Sequence, residues 1–531
     1  MEGPVATATD RTHVRLAELV AALSLGIDLG FGQPMEHVLR QCLIALRIAE
    51  AIGVADEQRA DVYYTALLIN VGCHTDAHEQ AKWFGDDIAL KSDKYAHELR
   101  SIRAAASGLR MLGAGHAPLH RLRLGLEFAI SGHREVDKMI EHHAAIARTL
   151  GEQLGLPEGV LVSLDAAYER WDGRGWPGEL EGDEVPMPSR IAQLAEFAEV
   201  AYRVGGAAAA RGLARERRGG HFDPALADVL DAEAEVILAG IDDVGTWDAV
   251  IEAEPTLAVV LSGARLDEAL LAVANFVDLK SPYFLGHTGA VAELAREAAR
   301  RLGADEAELR SLYRAALVHD LGRLGVSNGI WDKAAPLGAA EWERVRLHPH
   351  LTERMLCQSG SLAPLAAIAG QHCERLDGSG YPRGLSGTAI SRPARILAAA
   401  DAYQAMREPR PHRPPRSADD AAAELRADVR AGRLDPAAVD AVLGAAGHRV
   451  PRRREGPAGL TPREVEVLVL VARGLSNKEI GKRLVISTKT VGNHIEHIYS
   501  KISVSNRAGA SLFAMRHGLL PEEGFPGHQT A

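Results

Sequence analysis

Cysteine is scarce: four residues in 531, at positions 42, 73, 357 and 373, with no paired framework. That excludes a disulfide-built scaffold. With no secretory segment in view, it points to a reducing cytoplasm. Long apolar runs are also missing, so no membrane-spanning helix is expected. Aromatic residues make up only 5% of the chain. Alanine, leucine, valine, glutamate and arginine take their place, a composition that favours packed helices. There is no overall excess of positive charge; the net charge is −11, which by itself argues against a nucleic-acid-binding protein. Apolar residues at 47% and charged residues at 25% fit a globular chain. Its length implies two to four domains.

Among the residues that are present, His319-Asp320 ends an apolar helical stretch, Tyr-Arg-Ala-Ala-Leu-Val, and precedes Leu-Gly-Arg323. An imidazole and a carboxylate on a buried helix end are suited to a metal ion. Alone, such a dipeptide is more often a plain helix end. Its neighbours change that reading. His287, His348, His372 and Asp401 lie in or beside Ala/Leu-rich helical stretches, and a helical bundle can turn such residues toward one centre. Four imidazoles and two carboxylates suffice for two ions sharing a bridging carboxylate, a site type that activates water against a phosphoryl centre.

Asp377-Gly378-Ser379-Gly380-Tyr381-Pro382 follows His319-Asp320 in order. On these motifs, residues 280–405 resemble an HD-GYP domain of the HD phosphohydrolase superfamily. The resemblance implies an all-helical fold, two or three bound metals and cleavage of cyclic di-GMP. It implies that His287, His319, Asp320, His348, His372 and Asp401 are the metal ligands, for two divalent ions (iron, manganese or zinc). It also implies catalytic roles for Asp320 and Arg323, and substrate contacts from Arg323, Tyr381, Arg410 and Arg413. Two departures stand out. The family reads His-His-Glu where this chain has His372-Cys373-Glu374. A thiolate can ligate iron or zinc; a small buried cysteine can equally drop one ligand. Tyr283 stands four residues before His287 where an acid would favour a third metal.

The first half of the chain is a worn copy of the second. Glu169, His143, Arg190 and Glu196 match Glu374, His348, Arg395 and Asp401, each 205 residues on. His37 and Ala66-Leu67 match His287 and Ala316-Leu317 at a spacing of 250, so 45 residues are inserted in the first copy around 75–130. Phe222-Asp223-Pro224 echoes Leu434-Asp435-Pro436. The chemistry is lost: Ile69-Asn70 stand opposite His319-Asp320, Ala167-Tyr168 opposite His372-Cys373, and Gly205 and Ala208 opposite Arg410 and Arg413. His37, His143 and Glu196 remain, read as partnered core residues in preference to a one-ion site. A helix linking the copies is expected over 255–280.

Residues 451–520 carry 12 Lys/Arg against 5 Asp/Glu, which leaves the rest of the chain at −18. Such a split suits a nucleic-acid module on an acidic body. Thr461-Pro462-Arg463-Glu464 and Ser476-Asn477-Lys478-Glu479 are capping boxes. They predict helices to about Arg473 and to Leu484, then a Val-Ile-Ser turn and a helix from about Thr488 to Lys501. Two short helices so joined are a helix-turn-helix. The wording closely resembles a LuxR-type C-terminal domain. That resemblance implies a recognition helix that reads bases and a fourth helix, about 505–517, that dimerises. Lys489, Thr490, Asn493 and His494 are the expected DNA-facing residues.

The expected architecture is therefore all-α: a degenerate bundle over 1–255, a metal-binding bundle over 256–448, a linker at 449–459, a helix-turn-helix domain at 460–520 and a disordered tail at 521–531. The expected function is a DNA-binding regulator, a homodimer on promoter half-sites, whose body hydrolyses or senses a cyclic dinucleotide. The alternative is an inactive scaffold for dimerisation or ligand sensing.

Overall fold

The computed structural model describes residues 13–95, 111–113, 118–128, 133–242, 245–255, 258–448, 457–504, 506–517 and 519. The expected tail at 521–531, most of the linker and part of the insertion lie outside these. The chain parts into two compact units, one ending at His448 and one beginning at Arg449.

In the first unit the repeat is carried by matching elements. Helices Leu16–Gly30, His37–Ala51 and Asp56–Leu68 and the 3-10 turn Val71–His74 recur as Gly263–Asp278, His287–Arg301, Glu306–Val318 and Leu321–Gly325. The expected linking helix is thus the opening helix of the second copy, not a connector. Small details repeat as well. Asp28 accepts a hydrogen bond from Val38 N, as Asp278 does from Thr288 N. Arg190 pairs with Asp223, as Arg395 does with Asp435. A Cβ on Gly175 or Gly380 would lie 2.5 Å from the Cα of Glu169 or Glu374, so both loops require glycine there. Glu374 holds its loop by accepting from Arg383 N and Leu385 N; Glu169 accepts from Gly178 N and Glu179 N.

The copies are interlocked. Val14 and Arg15 pair antiparallel with Leu261 and Val260. The opening helix of the first copy packs on the second: a Cβ on Gly26 would meet Leu324 Cδ1 at 2.8 Å, and one on Gly325 would meet Leu29 Cδ1 at 3.0 Å. His74 fills the join, fully buried, edge-on to Phe31 and Phe276. The insertion supplies helices Ala77–Phe84, Asp87–Asp93 and Pro118–Glu127. Asp87, 0% exposed, reaches into the second copy. It accepts from Ser327 Oγ and Asn328 N at 2.8 Å and lies 3.0 and 3.6 Å from Lys91 and Lys280 Nζ. The insertion thereby fixes the short helix Asn328–Trp331.

In the C-terminal unit, helices Pro462–Ala472, Asn477–Leu484, Thr488–Lys501 and Arg507–Arg516 pack around Leu460, Val467, Leu468, Ile480, Val491 and Ile498. Both capping boxes form: Thr461 N donates to Glu464 and Ser476 N to Glu479. The turn between the middle helices passes through Val485 in the left-handed region, φ 55°. Gly481 allows that turn to close, since a Cβ there would stand 2.8 Å from Ile486 O.

Candidate metal centre and nucleic-acid interface

The sequence that ends the helix Glu306–Val318 determines the centre. A capping box at Asp305 and Glu308 starts this helix, and Leu309, Leu312, Ala316 and Leu317 bury one face. His319 and Asp320 come at its end, 0% and 1% exposed. The 3-10 turn that follows lies flat on the helix Ala339–Leu356, because Gly322 has no side chain; a Cβ would be 2.0 Å from His348 O. That contact sets His348 beside Asp320.

Three imidazoles are held alike. His319, His348 and His372 place Nδ1 2.6–2.7 Å from the carbonyls of Ala316, Val345 and Ala369, each three residues back. A carbonyl only accepts, so Nδ1 carries the hydrogen and Nε2 is directed inward as a donor of its lone pair. Around Asp320 the distances are short. Its Oδ2 lies 2.9 Å from His319 Nε2 and 3.6 Å from His287 Nε2; its Oδ1 lies 3.5 Å from His348 Nε2 and 3.7 Å from His372 Nε2. His287 Nε2 is 3.2 Å from Asp401 Oδ1. Ligand atoms of His287, His319 and Asp401 lie within 4.8 Å of one another. So do those of His319, Asp320 and His372, and those of His348, His372 and Cys373. All six residues expected as ligands meet here, and Cys373 joins them.

The donor set fits divalent ions on an observation of its own. His319 Nε2 and Asp320 Oδ1 are buried without a hydrogen-bond partner, while Asp320 Oδ2 is met by Arg323 Nη2. Buried polar atoms are rarely left so, and ion ligation satisfies each of them. Burial would raise the Asp320 carboxyl, but Arg323 and His319 hold it well below the usual range. Burial would depress His287; hydrogen bonds to Asp401 and Glu408 outweigh it and raise it to about 9.

Arg323 enters the centre with Nη2 2.7 Å from Asp320 Oδ2 and 3.5 Å from His287 Nε2. It stacks over Phe284 and Trp331, and its Nε and Nη1 lack partners. Arg410 stands beside it over Phe284 and donates to Tyr283 O and Glu408. Arg413 is not brought to the centre: its guanidinium donates to the carbonyls of Ala405, Met406, Glu408 and Pro414, clamping the loop. Tyr381 lies edge-on to His348; the Cys373 sulfur, and after it burial, push its hydroxyl well above the usual value. Glu408 escaped the sequence reading. Its carboxylate takes the His287 Nδ1 hydrogen at 2.8 Å and orients that ligand, yet it stands outside every motif.

The first copy shows why the chemistry is gone there. Lys94, from the insertion, sends its ammonium to Glu196 at 2.5 Å and Asn70 Oδ1 at 2.9 Å, over Phe31 and Tyr95. A tethered cation thus sits among the residues matching the second copy's candidate ligands. His37 pairs with Glu199, and His143 with Cys73 and Asp76. The helix Met187–Arg217 breaks at Gly205 and Gly206 and then resumes, where the second copy instead forms the Arg410–Arg413 turn.

On the helix Thr488–Lys501, Lys489, Thr490 and Asn493 are exposed and His494 is half-buried. The Thr490 hydroxyl lies 2.8 Å from Ser487 Oγ, within the N-cap. Val491 and Ile498 face the core.

Comparison with known proteins agrees with this fold. A family model described as HD domain matches residues 272–438, and one described as bacterial regulatory proteins, luxR family, matches 458–514. The 3'3'-cGAMP-specific phosphodiesterase 3 of Vibrio cholerae is 31% identical over 425 residues, 79% of this chain and 92% of that protein. The cyclic di-GMP phosphodiesterase response regulator RpfG of Xanthomonas campestris is 35% identical over 182 residues, 34% of this chain and 48% of that protein. A crystal structure of a cyclic GMP-AMP specific phosphodiesterase of V. cholerae (V-cGAP3) superimposes with a TM-score of 0.57 at 27% identity, covering 82% of this chain and 98% of that one. The match reaches well beyond the HD domain into the first copy. This chain belongs to the HD-GYP family of HD-domain proteins and ends in a LuxR-type helix-turn-helix domain.

Proposed function

We propose that the protein is a DNA-binding regulator whose second copy is a two-metal phosphodiesterase for 3',3'-cyclic dinucleotides. The observation that carries this is the convergence of three Nδ1-anchored imidazoles on Asp320, whose Oδ1 has no hydrogen-bond partner. Divalent ions there would supply an activated water and neutralise charge on the phosphodiester. Asp320, His287, His319, Asp401, His348 and His372 would hold them. Arg323 has two donors free beside the centre and is suited to a phosphate oxygen. Arg410 would hold the second phosphate, Tyr381 would wall the cleft, and Arg413 would shape the loop presenting Arg410. The names of the relatives, cGAMP-specific in one case and cyclic di-GMP in the other, support the dinucleotide class.

For the C-terminal unit, Lys489, Thr490, Asn493 and His494 would meet DNA. Leu512 and Met515, 47% and 59% exposed on the last helix, support pairing of two copies on half-sites about one helical turn apart. The test uses the full chain: metal content by plasma emission, turnover of 3',3'-cGAMP and cyclic di-GMP, and footprinting. Bound metal with turnover lost in Asp320→Asn is the expected result. Metal without turnover leaves a sensor, a reading to which the Cys373 departure gives weight. No metal at all overturns the proposal.

A further inference from the structure

The vestigial centre of the first copy holds a cluster that the phosphodiesterase chemistry does not use. The 3-10 turn Val71–His74 lies on the helix His133–Leu154 through Gly72, whose Cβ would be 2.1 Å from His143 O. The same packing that aims Arg323 at the metal centre, 250 residues on, here aims Cys73 at His143. The Cys73 Sγ lies 3.6 Å from His143 Nδ1 and 2.8 Å from the Tyr168 hydroxyl. The other ring nitrogen, Nε2, is paired with the Asp76 carboxylate. An imidazole set between a thiol and a carboxylate takes the thiol proton, and the carboxylate steadies the imidazolium.

We propose that Cys73 is a hydroperoxide-reactive thiolate, activated by His143 and Asp76. The surroundings favour the anion. Burial would push the thiol up, but His143, Lys94 and Tyr168 outweigh it and bring it below the ordinary value. Burial would depress His143; Cys73 and Asp76 outweigh it and raise it to about 9. The other charged and titratable groups facing the cluster are Glu196, Tyr95 and His74. Two of the other three cysteines contrast with it; Cys373 is buried beside His348 and His372 at the metal centre. Cys42 is fully buried and pushed far up by burial. Cys357 is exposed, and partial burial and Glu353 raise it. Cys73 itself is buried, 8% exposed, so only the smallest oxidants are candidates.

The step is a displacement at oxygen. The Cys73 sulfur attacks the distal oxygen of a hydroperoxide; the S–O bond forms and the O–O bond breaks. The departing alkoxide or hydroxide takes the proton from the His143 imidazolium and leaves as alcohol or water. Cys73 is oxidised by two electrons to the sulfenic acid and the peroxide is reduced.

The test treats the full-length protein with less than one equivalent of hydrogen peroxide, with dimedone present, at pH 6 and pH 8. The adduct is then mapped at all four cysteines by peptide mass spectrometry. Cys73 should carry most of the label at both pH values. Its lead over Cys357 should be greatest at pH 6, where a thiol of ordinary pKa near 8.5 is less than about 1% thiolate. His143→Gln and, as a milder second variant, Asp76→Asn should abolish that lead while helix content by circular dichroism is kept. Label on Cys357 or Cys373 in excess of Cys73, or a lead unchanged in Asp76→Asn, would overturn the proposal.

Discussion

At the residue scale, the centre rests on which atom each side chain turns inward. Glu408 fixes His287 through Nδ1, as the backbone carbonyls fix the other three imidazoles. Glu408→Gln keeps the shape and weakens the acceptor, so metal affinity should fall about 10–100-fold, read by chelator competition. Cys373 lies within reach of His348 and His372, and a sulfur ligand favours zinc or iron over manganese. Cobalt(II)-loaded protein should therefore show a sulfur-to-metal charge-transfer band. Cys373→Ser should lose that band while keeping the cobalt d–d bands, and Cys373→His should shift retention toward manganese. A band that survives Cys373→Ser would show that the thiol takes no part. The convergence of the six residues expected as ligands was legible because each sits in or beside an apolar helical stretch, where a polar residue needs a reason. Glu408 was not, because a glutamate just past a helix end looks like any solvated charge. Lys94 was not, because its position falls in the insertion, which has no counterpart from which to read its role.

At the element scale, the helix-turn-helix was legible almost to the residue, since its caps are local: Thr461, Ser476 and Ser487 each bond a backbone N–H of their own helix. The helix over 255–280 was legible as a helix but not in its role, because only tertiary packing shows that it opens the second copy. One local choice in the turn is strained. Val485, 89% exposed, holds φ 55°, where a β-branched residue costs roughly 1–2 kcal/mol. Val485→Gly should stabilise the C-terminal unit by about 0.5–1 kcal/mol in urea melts, the relieved strain exceeding the entropy that glycine adds to the unfolded chain. On DNA, Asn493→Ala should cost about 1–3 kcal/mol on the specific site and little on random duplex. Lys489→Ala should mainly flatten the salt dependence. Equal losses on both duplexes for Asn493→Ala would remove it from base readout.

At the scale of the whole molecule, the two copies are joined by a buried seam whose polar groups have few alternatives. Asp87 offsets Lys91 and Lys280 inside it, and His74 sits nearby with neither ring nitrogen bonded. Burial, with Lys91 and Lys280 adding to it, holds His74 far below its ordinary value. His221, buried in the first copy near Arg170 and Arg217, is held down likewise. Both stay neutral in the fold while the unfolded chain takes up protons below about pH 6.5. The unfolded state then binds more protons, so stability must fall as pH falls. Each residue contributes up to about 1.4 kcal/mol per pH unit below that point. His143 and His287, raised to about 9, pull the other way until the unfolded histidines are themselves protonated, so urea midpoints for the body should drop only below about pH 6.5, down to pH 5. His74→Leu should remove one of the two shares of that slope, at whatever cost in stability at pH 7 the changed shape brings. The slope, not the midpoint, is the decisive quantity: a variant that shifts every midpoint equally and leaves the slope intact would show that His74 binds its proton alike in the folded and the unfolded chain.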